Sequence, residues 1–329
     1  MINQNYYQNH IKKFPEQFAE GIKRASNIDF PKNLMGISIC GVGGSALYGE
    51  LLNNIFQSDY RISLNIEIIR SYTLPTPPRK DVLYIVSSYS GNTEETISCL
   101  NEIMKLNLPL CIFTSGGKLL QIAKEKNLPL YEIPAGIQPR LSTGYFVAGV
   151  ISIAEKLSLI PTYQQELFRI AEQLEKNLKE DEAKILASQL KNKIPIIYTS
   201  NNISSIARIA KIKFNENCKI QSFHNEFPEL NHNEMVGFTN VLMNPFLILL
   251  QSKFTHHRNK QRMNIFEELM TEKNIPAQVF LLQGDSILAE LLNTYYFIEH
   301  VSYYLAQEYG VDPEPVEMVE EFKKRIEKL

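Results

Sequence analysis

Four cysteines are too few and too scattered to organise this chain. Cys40, Cys99, Cys111 and Cys218 form no CxxC pair and no metal-ligand spacing, so neither a disulfide framework nor a zinc module is expected. Cys40 and Cys111 sit inside apolar runs, where a buried, reduced thiol is the expected state. No apolar run approaches the ~20 residues that a membrane-spanning helix needs; the longest lie near Ile194 and Phe246. The segment Met1-Ile2-Asn3-Gln4-Asn5 has neither the basic start nor the apolar core of a secretion signal, and a cytoplasmic setting is expected. Charge of neither sign dominates, since 34 Lys and Arg face 36 Asp and Glu. A net charge of −2 offers no field for nucleic acid or for an acidic membrane surface. No stretch is low-complexity. What remains is an ordinary globular composition, 44% hydrophobic and 21% charged over 329 residues, long enough for about two domains.

Short apolar runs alternate with longer stretches of helical periodicity. Runs at 36–40, 64–69, 82–86, 109–114 and 128–133 read as strands, with helices expected over 9–28, after the Gly41–Ala46 loop to about Ile55, after Ser88–Thr96, from Lys118 and from Thr143 to about Leu157. Pro161 marks a boundary, and a charged helical stretch over 164–187 follows it. The pattern then restarts, with strands expected at 194–199, 219–223, 246–250 and 278–282, helices at 203–217, 257–271 and 285–309, and a last helix from Val316. Alternation of this kind predicts parallel sheets covered on both faces, in two similar α/β halves.

The most telling stretch is Ser88-Tyr89-Ser90-Gly91-Asn92-Thr93-Glu94-Glu95-Thr96. It follows a buried strand, and Ile97, Leu100 and Ile103 after it recur at helical spacing. Asn92 with Glu95 three residues on resembles a capping box and sets the expected helix start. A helix start offers unpaired N–H groups and partial positive charge. Four hydroxyls (Ser88, Ser90, Thr93, Thr96) and a glycine add donors and close approach. A dianionic phosphate is the ligand such a turn would hold.

The other turn, Gly41-Val42-Gly43-Gly44-Ser45-Ala46, fits the loose dinucleotide pattern, but no acidic residue stands at the end of the next strand, where Ile69-Arg70-Ser71 occurs. Arg70 keeps an NADP reading open, although that reading gives the hydroxyl-rich turn no role. No Gly-Lys-Ser/Thr follows the glycines, which excludes a P-loop. Arg140 follows Pro-Ala-Gly-Ile-Gln-Pro, a rigid loop suited to holding one cation in place. Glu216 shares a helix face with Ile209 and Ile212 near a helix C-terminus, where desolvation and the helix dipole favour a raised pKa and general-base work near neutral pH. Residues 225–234 form a polar loop in which His232 lies among Glu229, Asn233 and Glu234, groups able to fix its tautomer. His224 and His232 match no zinc spacing, and no metal is expected.

Taken together, Gly41-Val-Gly-Gly-Ser45, Ser88-Tyr-Ser-Gly-Asn-Thr93-Glu-Glu-Thr96, Pro139-Arg140…Gly144-Tyr145, Asn225-Glu226…Pro228-Glu229…His232-Asn233-Glu234 and the C-terminal Lys323 resemble the bifunctional phosphoglucose/phosphomannose isomerases. The resemblance spans about Gly36 to Lys323 and departs from the family only modestly, with Val42 where methionine is common and Ala46 where glycine is frequent. It implies two doubly wound sugar isomerase (SIS) domains in tandem, over 1–158 and 159–329. It further implies that Ser45, Ser88, Ser90 and Thr93 bind the sugar's phosphate beside the Gly43-Gly44 loop. Glu216 would move a proton between C1 and C2, Arg140 would stabilise the enediolate, and Lys323 would assist near the ring oxygen. His232 would open the ring, donated by the partner subunit of a homodimer. The implied reaction converts glucose 6-phosphate, and mannose 6-phosphate with it, to fructose 6-phosphate without metal or nicotinamide. A non-enzymatic phosphosugar-binding regulator would share the phosphate turn but has no use for Glu216, Arg140 and His232 together.

Overall fold

The computed structural model describes residues 4–31, 33–176 and 178–326. Its contacts divide the chain into two compact units, one made of Lys12–Asn177 and Ser286–Ala289, the other of Met1–Ile11, Leu178–Asp285 and Glu290–Leu329. Among the described residues no helix is long and apolar enough to cross a membrane.

The first helix, α1 (Gln4–Lys12), is separated from α2 (Glu16–Ala25) by a turn. The sequence pattern predicts one helix here, but Pro15 disfavours helical backbone at Phe14 and starts a new helix instead. The first sheet holds five parallel strands, β1 (Gly36–Cys40), β2 (Glu67–Ile69), β3 (Val82–Ser87), β4 (Leu110–Thr114) and β5 (Leu130–Glu132), in the order β2-β1-β3-β4-β5. β1, β3 and β4 are buried along their whole length, as strands covered on both faces must be. The covering helices are α3 (Gly44–Gln57), α4 (Glu94–Lys105), α5 (Gly117–Glu125) and α6 (Thr143–Lys156), with α7 (Gln164–Lys176) packed on α2 and α6. One core cluster gathers Val82, Tyr84 and Val86 of β3 with Cys99, Leu100 and Ile103 of α4.

The other unit contains α8 (Glu180–Leu190), β6 (Ile194–Ser200), α9 (Ser204–Cys218), β7 (Phe223–Phe227), β8 (Pro245–Gln251), α10 (His257–Glu272), β9 (Ala277–Leu281), most of α11 (Ile287–Tyr309), and α12 (Glu317–Ile326). Its sheet is again parallel, in the order β7-β6-β8-β9. Both sheets therefore switch direction beside their first strand, the doubly wound arrangement that the alternating pattern predicts. The strand expected at 219–223 begins instead at Phe223, where it pairs with Ile196. Residues 219–222 are used to end α9, since Lys219 takes the left-handed conformation and Asn215 donates Nδ2–H to Ile220 O. Consequently Asn225 and Glu226 belong to an edge strand rather than to a loop.

Candidate active site

In the first unit the helix N-termini of α3 and α4 follow β1 and β3, the two strands that flank the switch in strand order. That is where an open α/β sheet leaves a crevice for an anion. Gly43 makes the bend into α3 with φ +56°, a conformation that glycine adopts without strain. Gly91 does the same in the turn after β3, with φ +71°, and a side chain there would collide with Gly116 O at 1.8 Å.

Three of the turn's four hydroxyls meet. Ser88 Oγ lies 2.8 Å from Thr93 Oγ1 and 3.5 Å from Ser90 Oγ, and accepts a hydrogen bond from Gly91 N. Ser45 Oγ accepts from Tyr89 N at 3.0 Å, while Ser87 Oγ donates to Ser45 O, so the two turns are laced together. Ser45 thus keeps its own hydroxyl proton to donate. Thr96 does not join this cluster; it is buried in the first turn of α4. The cap also differs from expectation. Thr93 is the residue before the helix, and Asn92 Oδ1 accepts from Lys118 N at 3.0 Å, capping α5 instead of its own helix.

Arg140 sits in a single 3-10 turn, Pro139–Leu141, and is only 5% exposed. That turn packs on the start of α3, where a side-chain carbon on Gly44 would lie 3.6 Å from Arg140 N. Gly43, Gly44, Ser45 and Arg140 are thereby neighbours within one unit. Two residues that motif reading passes over hold this arrangement. Gln17 of α2 donates to Leu141 O at 2.7 Å and accepts from Gly144 N at 3.0 Å, bracketing the Arg140 turn. Tyr89 donates to Pro134 O and accepts from Ile137 N, so its ring links the hydroxyl turn to the loop that leads into Arg140. Burial pushes the Tyr89 phenol above its ordinary pKa, which keeps it neutral and able to donate. Arg70, the residue that kept a 2′-phosphate in play, is engaged by Glu50 of α3.

In the other unit Glu216 lies in the last turn of α9, half-buried, on the flank of a helix whose Ile209 is fully buried. Lys219 donates Nζ–H to the Glu216 carbonyl at 2.5 Å. His232 ends a 3-10 turn, Glu229–His232, and is exposed. The neighbours expected to tune it are occupied elsewhere. Glu229 accepts from Asn233 Nδ2, and Glu234 accepts from Tyr198 and Asn225. Burial and Glu234 together drive the Tyr198 phenol upward. Lys323 is exposed on α12, paired with Glu320 at 2.9 Å. Among the described residues no hydrogen bond or ion pair joins Glu216, His232 and Lys323 to one another.

A family model for the bacterial phospho-glucose isomerase C-terminal SIS domain matches residues 179–326. A bifunctional phosphoglucose/phosphomannose isomerase of Aquifex aeolicus is 35% identical over 298 residues, 89% of this chain and 91% of its own. A D-glucosamine-6-phosphate 4-epimerase of Sulfolobus acidocaldarius is 30% identical over 235 residues, 70% of this chain and 74% of its own. Among solved structures, a hypothetical protein of Thermus thermophilus superposes with a TM-score of 0.75 at 15% identity, covering 97% of this chain and 89% of that one.

Proposed function

The chain belongs to the bifunctional phosphoglucose/phosphomannose isomerase family, and from that premise we propose that it interconverts glucose 6-phosphate and mannose 6-phosphate with fructose 6-phosphate. The observation that carries the reading is the meeting of Ser45, Ser88, Ser90 and Thr93 at two helix N-termini with buried Arg140 alongside.

In this reading the sugar's phosphate is held by those hydroxyls and the amides beside them, which is binding energy remote from the reacting carbons. Glu216 takes the proton from C2 of the open-chain aldose and returns it to C1, while the proton of the C2 hydroxyl passes to O1 of the enediolate. Arg140 faces the enediolate oxygens, whose developing charge a fixed cation stabilises in a desolvated site. His232 passes a proton to the ring oxygen when the pyranose opens, and Lys323 assists near that oxygen. No step calls for a metal or a nicotinamide, so turnover unchanged by a chelator is the expected result. We place the phosphate-holding SIS domain at 1–158 and the acid–base domain at 159–329. The functional molecule is a homodimer in which His232 crosses to the partner's site, a role that its exposed position suits. We assign it to the cytoplasm, a setting favoured by four free, buried cysteines.

Glu216→Gln tests the base. It keeps the side chain's size and removes its basicity, so kcat should fall by about 10³-fold with sugar-phosphate binding nearly intact. A coupled assay on both aldose phosphates measures this; a variant that still turns over refutes the assignment. Glucosamine 6-phosphate belongs in the same assay, because the 4-epimerase relative acts on it by name. Epimerisation without aldose–ketose exchange would overturn the proposed reaction.

A further inference from the structure

The last turns of α9 are held by a set of buried polar contacts that the reaction itself does not use. Lys213 pairs with Glu299 of α11, each side chain only 2% exposed. The same ammonium lies 3.2 Å from Tyr295 Oη and 4.9 Å from that ring's centre. One helical turn on, Asn217 accepts from Tyr7 Oη at 2.8 Å and donates to Ser302 Oγ at 2.9 Å. Tyr7 belongs to α1 and stacks on Tyr303 of α11, with ring centres 6.2 Å apart and planes 5° from parallel. Beyond the helix end, Lys219 reaches Pro313 O and Pro315 O. Three separate stretches of chain therefore grip one helix end.

Such a cluster is a costly way to gain stability. An ion pair taken out of water returns little net energy compared with apolar residues of the same volume. What it does supply is directional. Lys213 and Asn217 are four residues apart and share the face that meets α11, while Glu216 stands about 60–100° round the helix from both. Fixing that face fixes the helix's rotation about its own axis. A slip of ~10° would move a side-chain tip at a radius of about 6 Å by roughly 1 Å. Displacement on that scale is enough to cost up to about a hundredfold in rate.

We propose that Tyr7, Lys213, Asn217, Glu299 and Ser302 form a positioning clamp that aims the Glu216 carboxylate, so that helix α1 contributes to the reaction without touching the substrate. The inference rests on Glu216 as the base, and the experiment separates the two. Tyr7→Phe and Ser302→Ala each delete one hydroxyl from the clamp. In the full-length chain either variant lowers kcat about tenfold while KM for fructose 6-phosphate and the circular-dichroism spectrum stay as in the wild type. Two variants guard against one failing to fold. If kcat per folded molecule is unchanged in the variants that fold and only the melting temperature drops, the clamp is merely structural and the proposal is overturned. If Glu216→Gln retains turnover in the same assays, the base assignment fails first and the clamp's function falls with it. Neither variant folding would also count against the clamp, since residues that merely aim a side chain are dispensable for folding.

Discussion

At the scale of single residues, the turn proposed to hold phosphate is shaped less by its hydroxyls than by what holds them. Tyr89 lies among them in sequence, yet its backbone N–H fixes Ser45 and its phenol fixes the loop that runs into Arg140. Replacing it by Phe leaves the backbone bond to Ser45 in place and strips the Ile137 amide of its acceptor. That amide is part-buried, and losing its partner costs at most about 1–3 kcal/mol. The loop should relieve that cost by shifting, and Arg140 should shift with it. Tyr89→Phe is accordingly expected to lower kcat by about tenfold or more, with KM changed far less, because the proposed role of Arg140 is on charge that develops only in the transition state. Steady-state kinetics on glucose 6-phosphate checks this. A rise in KM alone would mean that Tyr89 serves the phosphate and not the cation.

At the scale of elements, the two sheets share a strand order, β2-β1-β3-β4-β5 and β7-β6-β8-β9, but their switch points have been put to different uses. After β8, Ser252 Oγ and Lys253 N both donate to the carboxylate of Glu290, which is wholly buried in the first turn of α11. Burial holds Glu290 above the ordinary carboxylate pKa, against the pull of those donors. An internal acid thus takes donors that an anion would need at this switch point, whereas the hydroxyls of the first sheet's turn bond to one another. One non-isomerisable sugar phosphate, such as glucitol 6-phosphate, should therefore bind per chain in a calorimetric titration; two would show that the second switch point also admits an anion. The sequence made the strands of both sheets legible, because buried parallel strands are largely apolar runs such as 36–40 and 194–198. It failed where local signals had a distant competitor. Asn92 reads as a cap for its own helix and caps α5. Residues 219–222, which lead into Phe223, read as the start of a strand but are spent on the helix end. Gln17, Tyr7 and Glu290 carry no motif at all, and matter through partners far away in the chain.

At the scale of the whole molecule, the proposed homodimer has His232 crossing to its partner's site. The residue is exposed, and the carboxylates flanking it are bound to other groups, so its own surroundings do little to orient it. A partner surface would supply the orientation that general acid catalysis requires. The consequence is a complementation test in which two dead enzymes make a live one. On this proposal every site of a Glu216→Gln homodimer would lack the base, and every site of a His232→Ala homodimer would lack the ring-opening group. If His232 crosses the interface, a mixed dimer has one site with both defects and one with neither. Random pairing makes half of the dimers mixed, so unfolding and refolding the two variants together should restore about a quarter of wild-type activity. If His232 serves its own subunit, each site of the mixed dimer carries one defect and nothing is regained. The choice of assay matters here, because hexose phosphates open slowly in water without help. Under low enzyme and short times the His232→Ala homodimer should be impaired on the cyclic sugar, and restoration by the Glu216→Gln partner would be read against that background. Recovery that rises with the fraction of mixed dimers, measured by differently tagged subunits, ties the activity to the interface; activity that never exceeds the sum of the two parents would place His232 in its own subunit's site.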